Sequence, residues 1–166
     1  MLKYLLFPFC FVFSSKVIAQ EFNMPSDITK LSAEDCEKYK PDIINCIKWL
    51  QNSPESLYKD KRHVSDAFLL NWLSHTKEVN IEIQEYLGPI MDVDPELISI
   101  FMGGWALNVL EKKDNNKING NYAGLKSVLD YYKSDKGVPK SDLLDQLVKK
   151  EESGKLKDWL KKQLKD

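Results

Sequence analysis

Histidine, cysteine and carboxylate side chains move protons, attack carbonyls and hold metals, so their positions are read first. The chain has two histidines, His63 and His75. They lie twelve residues apart on one helical stretch, more than three turns, and cannot share a metal within one chain. No His-Glu-x-x-His or Cys-x-x-Cys spacing occurs, so a zinc site has no ligand set. Residues 114–120 begin like a calcium loop, with Asp114 and Asn116 at positions one and three. Ile118 then falls at position five, Gly120 at seven instead of six, and Leu125 where a bidentate Glu is needed. The segment reads as a solvated loop without metal. Nucleophile-elbow, phosphate-loop and dinucleotide glycine patterns are absent. No residue is assigned a catalytic role and no cofactor is implied. A hydrolase built from distant residues, with Asp66, His63 or His75 in a cleft, remains as an alternative.

Two features cost enough to need a reason. Gly103 and Gly104 stand inside a helical pattern, where each costs ~1 kcal/mol relative to Ala. Either a neighbouring helix or ring approaches closely there, or a ligand or partner meets the helix at a notch. Trp105 beside them could stack or anchor, or fill core. Arg62 is the lone arginine of a chain with 24 Lys and Arg residues. A buried or bidentate pair with a carboxylate would explain a guanidinium there. Residues 78–111, which include acids but no Lys, Arg or His, supply the candidates. Arg62, Gly103, Gly104 and Trp105 are therefore the candidate ligand- or partner-binding residues.

The elements that must position these residues follow from periodicity. Ser32 precedes Ala33-Glu34-Asp35, a helix start with acids in its first turn. Cys36, Tyr39, Ile43, Cys46 and Leu50 then recur at helical spacing, interrupted by Pro41. One continuous kinked helix holds Cys36 and Cys46 ~15 Å apart, beyond disulfide reach. Two short helices folded back at Pro41 would let them bond. Residues 60–75 form the next helix, and 79–83 an extended linker, since a single strand cannot make a sheet. Asp94-Pro95-Glu96 starts a helix to about Lys112 that is apolar on nearly all faces, hence buried and central. Residues 115–121 read as a polar loop, 122–132 as a helix, and Ser141 as the cap of a helix to about Lys149. The last helix, 155–164, carries Leu156, Trp159, Leu160 and Leu164 on one stripe with lysines around it. It closes the fold with a lysine-coated outer face. Alternatively it lies on an anionic membrane through Lys155, Lys157, Trp159, Lys161 and Lys162. The fold class is all-α, an irregular bundle of five to seven helices around a buried central helix.

The N-terminus reads as an export signal. Lys3 is followed by an apolar core over residues 5–13, and Val17-Ile18-Ala19 ends it with a small residue, placing cleavage before Gln20. The apolar run is too short for a membrane span, which needs roughly 20 residues. Cys10 follows Phe9, which is not a lipoprotein attachment pattern. The layout is a signal peptide over 1–19, a flexible arm over 20–30 and a single all-α domain over 31–166. Export leaves Cys36 and Cys46 in a compartment where a disulfide can form. The formal net charge of −1 argues against a nucleic-acid binder, which needs a basic excess.

Several local sequences also occur together: Phe101-Met102-Gly103-Gly104-Trp105-Ala106, then Tyr122-Ala123-Gly124-Leu125 and Tyr131-Tyr132-Lys133. With Trp49-Leu50, Pro54, Arg62, Ala67-Phe68, Trp72 and Gly154-Lys155-Leu156, the chain resembles small secreted all-helical proteins of Bacteroidetes bacteria. The resemblance implies export, an all-α fold and a bacterial source, and it carries over no catalytic or binding residue. The expectation is a periplasmic or secreted helical binding or interaction protein without catalysis, whose partner is a protein or small molecule. The alternatives are a peripheral envelope protein docked through its C-terminal helix, and the hydrolase above.

Overall fold

The computed structural model describes residues 22–164. The signal peptide expected over residues 1–19, and its cleavage before Gln20, lie outside the described residues. Every regular element among the described residues is helical: eight α-helices and two short 3-10 turns at Ile28–Lys30 and Glu85–Leu87. The α-helix count exceeds the five to seven expected because one stripe is split at Tyr39 and a four-residue turn, α4 (Gly88–Met91), counts separately.

Ser32 opens α1 (Ala33–Lys38) with a reciprocal capping box. Its hydroxyl accepts from the Asp35 amide, and the Asp35 carboxylate accepts from the Ser32 N–H. Tyr39 alone separates α1 from α2 (Lys40–Asn52), and Pro41 falls in the first turn of α2, where a missing N–H breaks no helical bond. The proline kinks the stripe without reversing it. Cys36 and Cys46 are consequently buried free thiols, and the disulfide considered from the sequence does not form. Each sulfur instead meets a carbonyl of α3 (Lys59–His75): Cys36 Sγ lies 3.8 Å from Trp72 O, and Cys46 Sγ 3.6 Å from Ser65 O. Those carbonyls are seven residues apart, about 10 Å along a helix, so contact with both keeps the two sulfurs beyond the ~2 Å of a disulfide bond. The same seam orders α2 against α3, and the Trp72 indole N–H donates back to Cys36 O at 2.9 Å.

The described part of the expected arm, from Phe22 to Lys30, lies against these helices. The Phe22 ring is 6.1 Å from Trp49, and the Asn23 N–H donates to Asp42 Oδ1 at 2.8 Å. Residues 79–84 run without regular structure, with Val79 buried.

Helix α5 (Leu97–Lys112) is buried along most of its length and packs against α2, α3, α4 and α6 (Lys117–Lys133). Its first turn is tight, with Leu97 N–H donating to Asp94 O and Ile98 N–H to Pro95 O. The Asp94 carboxylate accepts from the Glu96 N–H at 2.9 Å, so Asp94 caps the turn ahead of the helix proper. The polar segment 115–121 is mostly helix, not loop. Asn116 accepts from the amides of Ile118 and Asn119 and starts α6 at Lys117. Asn121, fully buried, donates to Lys117 O and accepts from the Tyr86 hydroxyl, which answers the polarity that suggested a loop.

Ser141 caps α7 (Asp142–Glu152) by accepting from the Leu144 N–H. Gly154, at φ +70°, turns the chain into α8 (Leu156–Gln163). Leu156 and Leu160 are buried, and Trp159 packs edge-on against Tyr86 at 5.4 Å. Burying each leucine contributes roughly 1.5–3 kcal/mol. The apolar stripe of α8 therefore faces α6 and α7, and Lys155, Lys157, Lys161 and Lys162 are exposed.

Candidate functional site

Two places on the molecule account for the residues singled out from the sequence. The first is the crossing of α5 with α6. A Cβ on Gly104 would stand 2.8 Å from the Ala123 carbonyl and closer still to Ser127 Oγ. One on Gly124 would meet Phe101 O at 2.8 Å, and one on Gly120 would enter the Trp105 ring. A Cβ on Gly103 would meet Ile47 Cγ2 of α2 at 2.7 Å. Both glycines of the pair are thus occupied by neighbouring elements, one on each side of α5. Trp105 is buried and edge-on to Phe101 at 6.0 Å, which makes it core. Gly104 also borders an open groove between α5 and α6 that Asn108, Asp114 and Lys126 line. Asp114 is engaged within its own loop, accepting from Asn116 N–H and Asn119 Nδ2.

The second place is built around Arg62, in the first turns of α3 and 2% exposed. A helix leaves its last carbonyls without intrahelical donors. Those of α2 are met by side chains from three other parts of the fold. Arg62 Nη1 donates to Leu50 O at 3.2 Å and Ser53 O at 3.0 Å. The Tyr131 hydroxyl of α6 donates to Ser53 O at 2.9 Å, and Lys136 Nζ to Gln51 O at 2.6 Å. The Tyr131 ring meets both cations, its centroid 5.4 Å from the guanidinium carbon and 5.2 Å from Lys136 Nζ. Positive charge also suits a helix C-terminus. Arg62 Nε donates to Glu96 Oε2 at 3.0 Å, so the carboxylate partner sought among residues 78–111 is Glu96, just before α5. The contact runs through one nitrogen. Arg62 Nη2 is buried and has no hydrogen-bond partner.

Above Arg62 opens a cleft of about 480 Å³ lined by Glu55, Ser56, Lys59, Arg62, His63, Asp66, Glu96 and Gly137. Its wall is held by the Glu55 N–H donating to Lys136 O at 3.0 Å, and Gly137, at φ +113°, lets the 136–137 turn lie against Glu55. Burial pushes the Glu55 carboxyl up to about 7, reinforced by a hydrogen bond shared with Asp94 and by the nearby Glu96, with Arg62 opposing. Burial likewise raises Asp66, against the pull of Arg62 and a Ser99 hydrogen bond. Glu55 Oε1 and Asp66 Oδ1 join Arg62 Nη2 as buried polar atoms without a hydrogen-bond partner. The lining can hold and exchange protons and can both donate and accept hydrogen bonds.

Of the residues expected in a site, Arg62, His63 and Asp66 come together in this cleft. His75 does not: it sits exposed at the far end of α3 with Nδ1 2.9 Å from Asn71 O. Gly103, Gly104 and Trp105 belong to the α5 crossings described above. Sequence reasoning missed Glu55, which follows Pro54 in a connecting loop. It read Asp94 and Glu96 as helix-start acids and, within residues 78–111, as candidate partners of Arg62. Their one sequence signal was the long acidic stretch facing a lone arginine. Among the described residues, no group of three or more His, Cys, Asp or Glu is placed to hold a metal ion. No protein family, curated protein or solved structure matches this chain, so the fold and the cleft themselves carry the argument about function.

Proposed function

We propose that this chain is an exported helical binding protein that takes a small polar ligand in the Arg62 cleft. The carrying observation is Arg62 itself: a side chain 2% exposed, lining an open cleft, with Nη2 left without a partner. An unsatisfied buried donor costs about 1–3 kcal/mol, and a ligand or an ordered solvent molecule that accepts from it recovers that cost. The volume lies within the range of small-molecule sites. The resemblance to small secreted helical proteins and the signal-like N-terminus support the exported setting. Calorimetric titration of the mature chain with a panel of small polar compounds, repeated on Asp66→Asn, tests this. Binding by the wild type that is weakened by the substitution is expected, and a folded protein that binds none of the panel overturns it.

One observation favours a second reading, a hydrolase. Glu55 holds its proton near neutral pH beside Asp94, as a general acid must, and Asp66, Glu96 and His63 share its cleft. Turnover abolished by Glu55→Gln with ligand binding retained is the result that would establish this reading over simple binding.

A further inference from the structure

The hydrogen-bond inventory of the cleft says what chemistry would fit it. Three buried polar atoms of its lining have no partner: one donor, Arg62 Nη2, and two carboxyl oxygens, Glu55 Oε1 and Asp66 Oδ1. A ligand that answers both kinds must itself donate and accept. The lining side chains are polar or charged apart from Gly137, so the apolar surface they offer is that of their aliphatic stems and no apolar side chain faces the ligand.

Charge narrows the choice. An anion drawn to Arg62 would also face Glu55, Asp66 and Glu96, and Glu96 already accepts from Arg62 at 3.0 Å. A cation drawn to those carboxyls would face Arg62 and Lys59 and would leave Arg62 Nη2 unanswered. A hydroxyl group carries one donor and two acceptor lone pairs without charge. Adjacent hydroxyls on one carbon skeleton can give protons to carboxyl oxygens while accepting from a guanidinium, and they suit a lining of both signs. Ser56, Lys59 and His63 add further donors and acceptors at the cleft surface.

We propose that the cleft binds a neutral polyhydroxylated molecule, a sugar or cyclic polyol, through Arg62, Asp66 and Glu55. This rests on the reading of the cleft as a ligand site and adds the ligand class. Arg62 and Asp66 supply the contacts from α3, and Glu55 the contact from the loop after α2.

The test is titration of the mature chain, by calorimetry and by saturation-transfer NMR, with matched probes. The neutral arm is glucose, N-acetylglucosamine, a β-linked and an α-linked glucose disaccharide, and myo-inositol. The charged arms are glucuronate and glucose 6-phosphate, glucosamine and spermidine, and glycine and glutamate as zwitterions. The expected result is saturable binding in the neutral arm, at least tenfold weaker for the charged relatives of the same sugar. Asp66→Asn and Glu55→Gln, which preserve side-chain shape, should each weaken it at least fivefold with an unchanged circular dichroism spectrum. Arg62→Lys should weaken it further, but Arg62 also supports the fold, so the two shape-preserving variants decide. Binding confined to a charged or zwitterionic arm overturns the ligand class and leaves the cleft standing as a site. Neutral-arm binding that neither variant affects moves the ligand elsewhere and overturns the proposal. Absence of binding in every arm overturns both this proposal and the reading on which it rests.

Discussion

The α5–α6 crossing and the Arg62 cleft each carry a cost, helix propensity lost to glycine at one and a buried charge at the other, and they resolve it differently. At the crossing, Gly104 and Gly124 give up helix propensity so that two backbones can meet, with Ala123 O and Phe101 O 2.8 Å from where their Cβ atoms would be. Everything the glycines make room for is already there. In the cleft, Arg62 ties α3 to the end of α2, to α6 and to the residue before α5 through four partners, counting the Tyr131 face and the Glu96 carboxylate. Yet Nη2 and two neighbouring carboxyl oxygens remain unanswered. An unusual residue whose every contact is filled from within the fold is explained by packing. One that leaves polar valences open beside a cavity points outside the chain.

The contrast can be broken most forcefully at Gly104. Gly104→Leu should prevent α5 and α6 from closing, with loss of the cooperative urea transition. Gly104→Ala should cost about 1–3 kcal/mol by overpacking, outweighing the ~1 kcal/mol that Ala gains as a helix former. Gly103→Ala should cost less, because the atom it meets is a methyl of Ile47 and not backbone. Equal, small effects at both positions would remove the packing account and reopen the notch as a binding surface.

Arg62→Met comes next, at about 1–3 kcal/mol in urea unfolding, since it strands the buried Leu50 O and leaves Ser53 O with only the Tyr131 hydroxyl. Arg62→Lys should recover only part of this, a single ammonium being unable to span those acceptors. A full recovery by Lys would show that charge, not the fork, holds the junction.

The third effect is on pH dependence. Glu55 titrates at about 7 in the folded chain against an ordinary 4.5, so the folded state retains a proton between those values. Its contribution to stability is complete below about 4.5 and is lost as pH rises through about 7. Glu55→Gln stays neutral throughout. From pH 5 to pH 8 the melting temperature of wild type should therefore fall relative to the variant, by about 3 °C for roughly 1 kcal/mol once solvent screening at this part-exposed group is allowed for. A constant difference across that range would mean that Glu55 ionises normally.

The smallest expected effect is none. With Cys36 and Cys46 free, dithiothreitol should leave the melting temperature of a chain spanning residues 20–166 unchanged. Thiol reagents should label both cysteines only after unfolding, because burial pushes the Cys46 thiol up to about 12 and raises Cys36 as well. Such a chain two mass units lighter than its reduced form would overturn the arrangement of α1 and α2.

Much of the fold was legible because its signals are local. The Ser32 and Ser141 caps, the buried face of α5 and the paired apolar positions Leu156 and Leu160 depend on neighbours within a few residues. The N-terminal limit of α6 was misplaced because Asn119 and Asn121 look like loop residues until their partners are known, and Tyr86 lies 35 residues from Asn121. Cleft residues were harder to read for the same reason. Arg62 was visible as an anomaly of composition, and the acidic stretch gave its partner's neighbourhood. Glu55 carried no local mark.

The sequence by itself determined that the chain is helical, where helices such as α1 and α7 begin, that α5 is buried, and which stretch would hold a carboxylate partner for Arg62. Periodicity, capping and charge distribution are sufficient for these, since each acts over one or two turns. Only the tertiary structure decided between a disulfide and two separate thiols, and only it shows the close helix approaches at Gly103 and Gly104. It alone assembled a cleft from Glu55, Arg62, Asp66 and Glu96. Those outcomes depend on which surfaces of distant helices meet, and the atoms left without partners at such a meeting are defined by geometry that no local pattern contains.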